Sequence, residues 1–154
     1  MKDNYECCAH RMLEKVNLGP LRTSIGYALR RAQLAVFDDF IRTLEIVGLR
    51  PAYFAALVVI ELNPGQKQSV VSGALGIQRT NFVTMVDFLE QRGLLARHPC
   101  KHDRRSHELH LTEGGRSVLR QALQLHETHE ARFAEKLEPG GREQLLSLLW
   151  RFFA

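Results

Sequence analysis

The sequence predicts a mainly α-helical fold with one small two-stranded β-hairpin. Apolar residues recur every three or four positions over most of the chain, which is the period of an amphipathic helix. Between residues 94 and 111 the pattern changes to the alternation typical of short strands. Residues 75–77 have the composition of a tight turn between two helices, and a basic segment separates the two strands.

The bulk composition is that of an ordinary globular protein. The chain has 154 residues, of which 45% are hydrophobic and 25% are charged. That length is enough for one domain with its own core. No apolar run approaches the roughly 20 residues that a membrane helix needs, and the N-terminus lacks the apolar segment of a signal peptide. These features predict a cytoplasmic protein.

The first predicted helix is long. Residues 1–19 are polar and weakly patterned, and we expect them to form an N-terminal arm. Pro20 then opens a helical pattern that reaches Val47, and Gly48 ends it. At about 1.5 Å per residue this helix is roughly 40 Å long, more than a compact domain of this size covers unaided. We therefore expect a partner chain to share it.

A helix–turn–helix follows in the middle of the chain. Pro51 suits the first turn of a helix that residues 63–65 end. A short helix of about residues 67–74 leads into the turn at 75–77, where glycine permits a tight backbone. The next helix is predicted to span about residues 78–92. A helix presented by such a turn can lie in the major groove of DNA.

Two strands and two helices complete the predicted fold. Residues 94–98 and 107–111 alternate as strands do, and the polar segment 99–106 between them is predicted to be a loop. Thr112 is the predicted N-cap of a helix over residues 113–136. The chain ends in a helical segment that is apolar nearly all round, which favours burial against another subunit.

Basic residues cluster beside the helix–turn–helix. The net charge of the chain is only +4, but residues 92–105 contain five basic side chains against Asp103 alone. A local excess of this kind beside a helix–turn–helix predicts contact with a polyanion, with a solvated loop as the alternative. The five residues are Arg92, Arg97, Lys101, Arg104 and Arg105.

The order and spacing of these motifs resemble the MarR family of bacterial transcription regulators. The similarity covers about residues 21–153 and is carried by Leu75-Gly76-Ile77, Val86-Asp87, Leu89-Glu90, Arg92-Gly93-Leu94, Asp103-Arg104-Arg105 and Leu111-Thr112-Glu113-x-Gly115. The resemblance implies a winged helix–turn–helix with six helices and a two-stranded wing. It also implies a homodimer, joined by the N- and C-terminal helices, that binds a pseudo-palindromic operator. The corresponding division is residues 20–50 and 112–154 for dimerisation and 51–111 for DNA binding, within one intertwined domain.

The first two turns of the recognition helix contain the predicted base contacts. Arginine can bind guanine and asparagine can bind adenine through two hydrogen bonds each, and valine can meet a thymine methyl group. The candidate residues are Gln78, Arg79, Thr80, Asn81, Val83 and Thr84. Capping of the helix is the alternative role for Gln78 and for Thr80.

The predicted wing supplies the remaining DNA contacts. Arg105 resembles the arginine that the family inserts into the minor groove, and Asp103 would hold it by an ion pair. Lys101 and Arg104 would contact the phosphate backbone. An ordinary surface ion pair between Asp103 and Arg105 is the alternative.

The resemblance also implies a small-molecule effector. Regulators of this family respond to aromatic acids, phenols, thioesters or oxidants, and their usual pocket lies between the dimer helices and the DNA-binding lobe. Arginine and aromatic side chains there suit an aromatic carboxylate or its coenzyme A thioester, although each could instead be a core edge or a surface charge. The predicted lining is Arg22, Tyr27, Arg30, Arg31, Tyr53 and Phe54. We therefore predict a ligand-responsive repressor.

Two other functions stay open. Cys7, Cys8 or Cys100 could make the protein redox-responsive, although Gly26 stands where the peroxide-sensing branch of the family has its reactive cysteine. A winged helix can also serve as a protein-interaction module without DNA. High affinity for DNA with a steep salt dependence separates a regulator from such a module.

No catalytic or cofactor motif is recognisable in the sequence, and none is predicted. The nearest metal candidate is the pair His126 and His129, which are three residues apart on a predicted helix. Their spacing differs from HExxH, and a polar helix face is the favoured interpretation. No metal site is predicted.

Overall fold

The computed structural model describes residues 16–100 and 103–153 of the chain. Contacts divide the chain into two units, one that ends at Phe37 and one that begins at Asp38. The described ranges contain six α-helices and a three-stranded antiparallel sheet, so the predicted helix count is confirmed. The third strand was not predicted.

The first unit contains a short 3-10 turn and the beginning of a long helix. The turn spans Gly19–Thr23, and helix α1 spans Ile25–Leu44. Ser24 separates them, because its backbone is extended and its hydroxyl accepts a hydrogen bond from the Tyr27 amide at 3.4 Å. The long helix therefore begins at Ile25 rather than at Pro20.

The second unit begins within α1 and continues through helix α2. Helix α1 ends at Leu44, and a 3-10 turn over Glu45–Val47 leads to Gly48, whose φ is +64°. Helix α2 spans Pro51–Leu62, with proline at its first position as predicted.

The helix–turn–helix forms where the sequence predicts it. Helix α3 spans Gln68–Ala74, and α4, the recognition helix, spans Arg79–Gln91. Between them Gly76 has a φ of +63°, and the Ile77 amide donates to the Ser72 carbonyl at 3.0 Å. Because an L side chain is strained at that φ, glycine makes the turn possible.

The hairpin is longer than predicted, and it carries an extra strand. Strand β1 is Gln66–Lys67, β2 is Leu95–Cys100 and β3 is Asp103–Leu111. Their order is β1-β3-β2, with Leu95 opposite Leu111 and Gln66 opposite Leu109. The predicted loop 99–106 was therefore mostly wrong. The strands extend into it because backbone pairing does not require the apolar alternation from which the two shorter strands were predicted.

Helices α5 (Glu113–Ala134) and α6 (Gly141–Trp150) complete the fold. The predicted cap of α5 is confirmed: the Thr112 hydroxyl accepts from the Gly115 amide at 3.0 Å and donates to the Gly93 carbonyl at 2.6 Å. The end of the chain exposes a cluster of apolar side chains, which comprises Leu145, Leu146, Leu148, Trp150, Phe152 and Phe153.

The core of the second unit fixes the recognition helix from behind. The predicted inward face of α4 is buried, namely Phe82, Met85, Val86 and Leu89. These side chains belong to one cluster with apolar residues of α2, the sheet and α5. Burial of this face leaves the opposite side of α4 at the surface.

Membrane-spanning potential is limited in the described part of the chain. No single helix there is both long and apolar enough to cross a bilayer. The bent pair Ile25–Val47 and Pro51–Leu62 meets the criteria of length and composition only when the two helices are taken together. Buried core helices meet the same criteria, so the pair is weak evidence for a membrane span.

Candidate nucleic-acid interface

The outer face of the recognition helix presents the six residues predicted to contact bases. All of them, Gln78, Arg79, Thr80, Asn81, Val83 and Thr84, are exposed. Gln78 stands at the N-cap position, but its side chain makes no capping hydrogen bond. The Thr84 hydroxyl donates to the Thr80 carbonyl at 3.3 Å, within the helix. The structure thus leaves Arg79 and Asn81 at the surface, and their contact with bases stays a prediction.

A groove of about 390 Å³ lies beside this face. Its walls are the start of α3, the recognition helix and the two long strands, and its basic side chains are Lys67, Arg79, Arg97 and His107. We call it the interface groove. Sequence reasoning missed Lys67 because that residue was assigned to a helix, whereas it lies in β1 and pairs with Glu108 of β3. His107 belongs to the same groove through its place on β3.

Two of the five clustered basic residues bond to other groups of the protein. Arg97 donates to Asp87 Oδ1 at 2.5 Å and to Glu90 Oε2 at 2.6 Å. Arg92 donates to the Gly48 carbonyl at 2.5 Å, and its guanidinium carbon lies 5.6 Å from the centroid of the Phe88 ring. The positive charge available to a polyanion is therefore smaller than the local sequence count.

The wing tip falls largely outside the described residues. Lys101 lies outside them, and so do the side chains of Asp103, Arg104 and Arg105, whose backbone belongs to β3. Their DNA contacts stay predictions.

The six candidate ligand residues are distributed over both units. In the first unit Arg22 and Arg30 are exposed, Tyr27 and Arg31 are half-buried, and Arg30 donates to Gln33 Oε1 at 3.1 Å. Their role as a pocket lining stays a prediction.

In the second unit the two neighbouring aromatic candidates have different surroundings. Tyr53 is half-buried, and its ring centroid lies 5.0 Å from that of Phe88 on the recognition helix. Phe54 is buried, with its ring 5.5 Å from Phe40 and 5.2 Å from His126. Phe54 is therefore part of the core in this structure.

A polar cluster around the buried His129 joins α1 to α5. His129 is 2% exposed, and its Nδ1 lies 2.7 Å from Asp39 Oδ2, to which Arg132 also donates at 2.7 Å. Arg132 donates in addition to the Thr43 hydroxyl at 2.6 Å. Burial alone would raise the pKa of Asp39, but the hydrogen bonds from His129 and Arg132 and the positive charge of Arg132 lower it below its ordinary value.

The histidines considered as metal ligands have other contacts. His129 is bound to Asp39, and His126 stacks on Phe54 while its Nε2 lies 3.8 Å from Glu130 Oε1. Among the side chains that the structure describes, no group of three His, Cys, Asp or Glu residues is placed to hold a metal ion.

Of the three cysteines in the redox alternative, the structure describes one. Cys7 and Cys8 lie outside the described residues, whereas Cys100 ends β2 with 5% exposure. Such burial gives an oxidant in solution little access to its sulfur.

Comparison with known proteins identifies relatives over most of the chain. A family model described as the MarR family matches residues 47–106. The chain is 34% identical over 136 residues to a putative transcriptional regulatory protein for the hcr operon of Thauera aromatica. The aligned region covers 88% of this chain and 82% of that relative.

Solved structures with the same fold include two of one repressor, CouR. CouR bound to a 23-mer DNA duplex has a TM-score of 0.87 and 45% identity, with 90% of this chain and 99% of that chain covered. CouR bound to p-coumaroyl-CoA has a TM-score of 0.83 and 43% identity, with 89% and 96% covered.

Proposed function

Because the chain belongs to the MarR family of transcriptional regulators, we propose that it is a ligand-responsive repressor. It binds a pseudo-palindromic operator as a homodimer, and a small aromatic acid or its coenzyme A thioester releases it. The observation that supports this most directly is the exposed polar face of the recognition helix beside the interface groove. The similar repressor CouR has been solved with a DNA duplex.

The recognition helix enters the major groove with its N-terminal turns first. Arg79 binds guanine, Asn81 binds adenine, and Val83 meets a thymine methyl group. Lys67 and His107 face the neighbouring phosphates from the other walls of the interface groove. The wing extends along the duplex, and Arg105 enters the minor groove.

A homodimer places two recognition helices on one side of the duplex. Their centres must lie roughly 34 Å apart to reach successive major grooves. Exposed apolar side chains supply surface that a second copy can bury, such as Phe37 of α1, Trp150 of α6 and Phe153 after it. We assign residues 20–50 and 112–154 to dimerisation, 51–111 to DNA binding and 1–19 to an arm.

The effector is an aromatic acid or thioester that favours a dimer with wrongly spaced recognition helices. CouR, which is 43% identical, has been solved with p-coumaroyl-CoA. Arginines 22, 30 and 31 suit the acidic groups of such a ligand, and Tyr27 and Tyr53 suit its ring. A coupling free energy of about 1–3 kcal/mol, or about 5- to 150-fold in affinity, is sufficient for release. This function needs neither catalysis nor a cofactor, and it belongs in the cytoplasm with the DNA target.

The test begins with selection of duplexes from a random-sequence library by the purified protein. Binding of the enriched duplex is then followed by fluorescence anisotropy at several salt concentrations. We expect tight binding that weakens steeply with salt, and a loss of at least tenfold for R79A. R120A is the matched control, because Arg120 is an exposed arginine of α5 whose recorded ion pair is with Glu113. Absence of any enriched duplex contradicts DNA binding.

The effector is tested by titrating the protein–DNA complex with p-coumaroyl-CoA, p-coumaric acid and free coenzyme A. We expect the thioester or the acid to weaken binding and free coenzyme A to leave it unchanged. A complex that resists a full panel of aromatic acids and thioesters contradicts the effector assignment and leaves the DNA-binding assignment in place.

A further inference from the structure

Arg97 joins the hairpin to the recognition helix through three of its nitrogen atoms. From the middle of β2 its Nη1 donates to Glu90 Oε2 at 2.6 Å, and its Nη2 donates to Asp87 Oδ1 at 2.5 Å. Its backbone amide donates to Glu90 Oε1 at 3.2 Å. Only 18% of the Arg97 side chain is exposed. A planar guanidinium held at two carboxylates fixes both direction and distance.

The two acidic residues stand one turn apart on the recognition helix. Asp87 and Glu90 are separated by three positions, so they lie on the same side of the helix and face the strand together. The link therefore resists both rotation of the hairpin about the helix and sliding along it. The predicted wing contacts are made from the far end of this hairpin, where a small rotation at its base becomes a large displacement.

Charge at the interface groove also depends on this link. The side chains of Asp87 and Glu90 are 49% and 40% exposed, and Asp87 lines the groove together with Arg79. Carboxylates at this position repel the phosphates of an approaching duplex. Arg97 offsets part of that negative charge while its own guanidinium is engaged.

We propose that Arg97 is a positioning residue for DNA recognition, which sets the angle between the wing and the recognition helix through Asp87 and Glu90. This inference rests on the proposed function. If Asp87 and Glu90 position the wing, removal of their charges weakens DNA binding, although the surface that faces phosphate then carries two fewer negative charges.

The experiment compares four proteins on the duplex that the unaltered protein selects. R97K keeps the positive charge but loses the two-armed guanidinium. D87N/E90Q keeps the shape of both acidic side chains and removes their charge. R116Q is the matched control, because Arg116 of α5 also joins two elements, through its ion pair to Glu61 of α2. Dimer mass and thermal unfolding of each variant establish that it is folded under the assay conditions.

We expect R97K and D87N/E90Q each to weaken binding by about 5- to 30-fold, with R116Q unchanged. The variants should also lose preference for the bases at the edges of the selected duplex, where the wing binds, while the preference at the centre of each half-site remains. Tighter binding by D87N/E90Q, or wild-type binding by R97K, overturns the proposal. Failure of the unaltered protein to select any duplex refutes the proposed function itself, and this inference with it.

Discussion

The contact between Gly115 and Leu94 allows a graded test of the packing that supports the wing. Gly115 is buried in the first turn of α5, and a Cβ atom there would lie 2.8 Å from the carbonyl carbon of Leu94 and still closer to its oxygen. Both atoms belong to the backbone, so no side-chain rotation relieves the clash. In Gly115→Ala the start of α5 must retreat from the Leu94 backbone by more than about 1 Å.

The expected loss of stability follows from the contacts that this movement disturbs. Overpacking of a tight site costs about 1–3 kcal/mol. The same movement strains the hydrogen bond from the Thr112 amide to the Leu94 carbonyl, now 3.1 Å, and the Thr112 cap on α5. Each hydrogen bond contributes about 1 kcal/mol. We therefore expect a loss of about 4 kcal/mol in the free energy of unfolding, and a fall in Tm of roughly 10 °C.

Two other helical glycines supply the controls. Gly114, one residue earlier, would place a Cβ 3.3 Å from the Gly93 carbonyl oxygen, whereas Gly73 in α3 would meet nothing within 4 Å. Gly73→Ala should stabilise the helix by about 0.5–1 kcal/mol. The measurement is urea unfolding by circular dichroism at one protein concentration, because dimerisation makes stability concentration-dependent. Equal stabilities for Gly115→Ala and Gly114→Ala would refute the steric reasoning.

Two further outcomes follow from polar contacts in the structure, and a third follows from the predicted wing. Asp39→Asn should lower the free energy of unfolding by about 2 kcal/mol at pH 7, because it weakens the bonds to His129 and Arg132. Because the folded-state pKa of Asp39 is lowered, the difference from wild type should persist above about pH 3.8 and shrink as pH falls through the folded pKa. Urea unfolding at a series of pH values measures this difference. Thr112→Val should lower stability by about 1–2 kcal/mol through loss of the cap, and Thr112→Ser should retain most of it in the same assay. Arg105→Ala should weaken operator binding at least tenfold at a fixed salt concentration with the dimer intact; unchanged affinity would count against the wing assignment.

Local signals in the sequence were sufficient for the number of helices and for several of their ends, but not for the bounds of α1. Periodicity identified the buried face of the recognition helix, glycine identified the turn at Gly76, and the residues after the hairpin identified the cap at Thr112. These features depend on neighbours within a few positions, which a linear pattern records. The cap and the turn each satisfy backbone groups at the end of a helix.

Features that depend on distant pairing were missed. Strand β1 has only two residues, and it forms because Gln66 and Lys67 lie opposite Leu109 and Glu108, more than forty positions along the chain. Neither residue has a strong β preference, so a sequence pattern gives no sign of the strand. The length of the hairpin was missed for a similar reason, since Pro99 and Cys100 pair with β3 although the sequence there does not alternate.

The number of basic residues in the sequence overstates the positive charge that a bound duplex contacts. Among residues 92–105, Arg92 is bound to backbone carbonyls after α1 and Arg97 to two carboxylates of the recognition helix. Lys101, Arg104 and Arg105 remain as the predicted wing contacts. Because each phosphate contact contributes about 0.9 to the slope of log K against log salt, the two copies of Arg97 in a dimer reduce the expected slope by about 2. We therefore expect the salt dependence of binding to reflect cations other than Arg97, whereas Arg92 is exposed and keeps its charge at the surface.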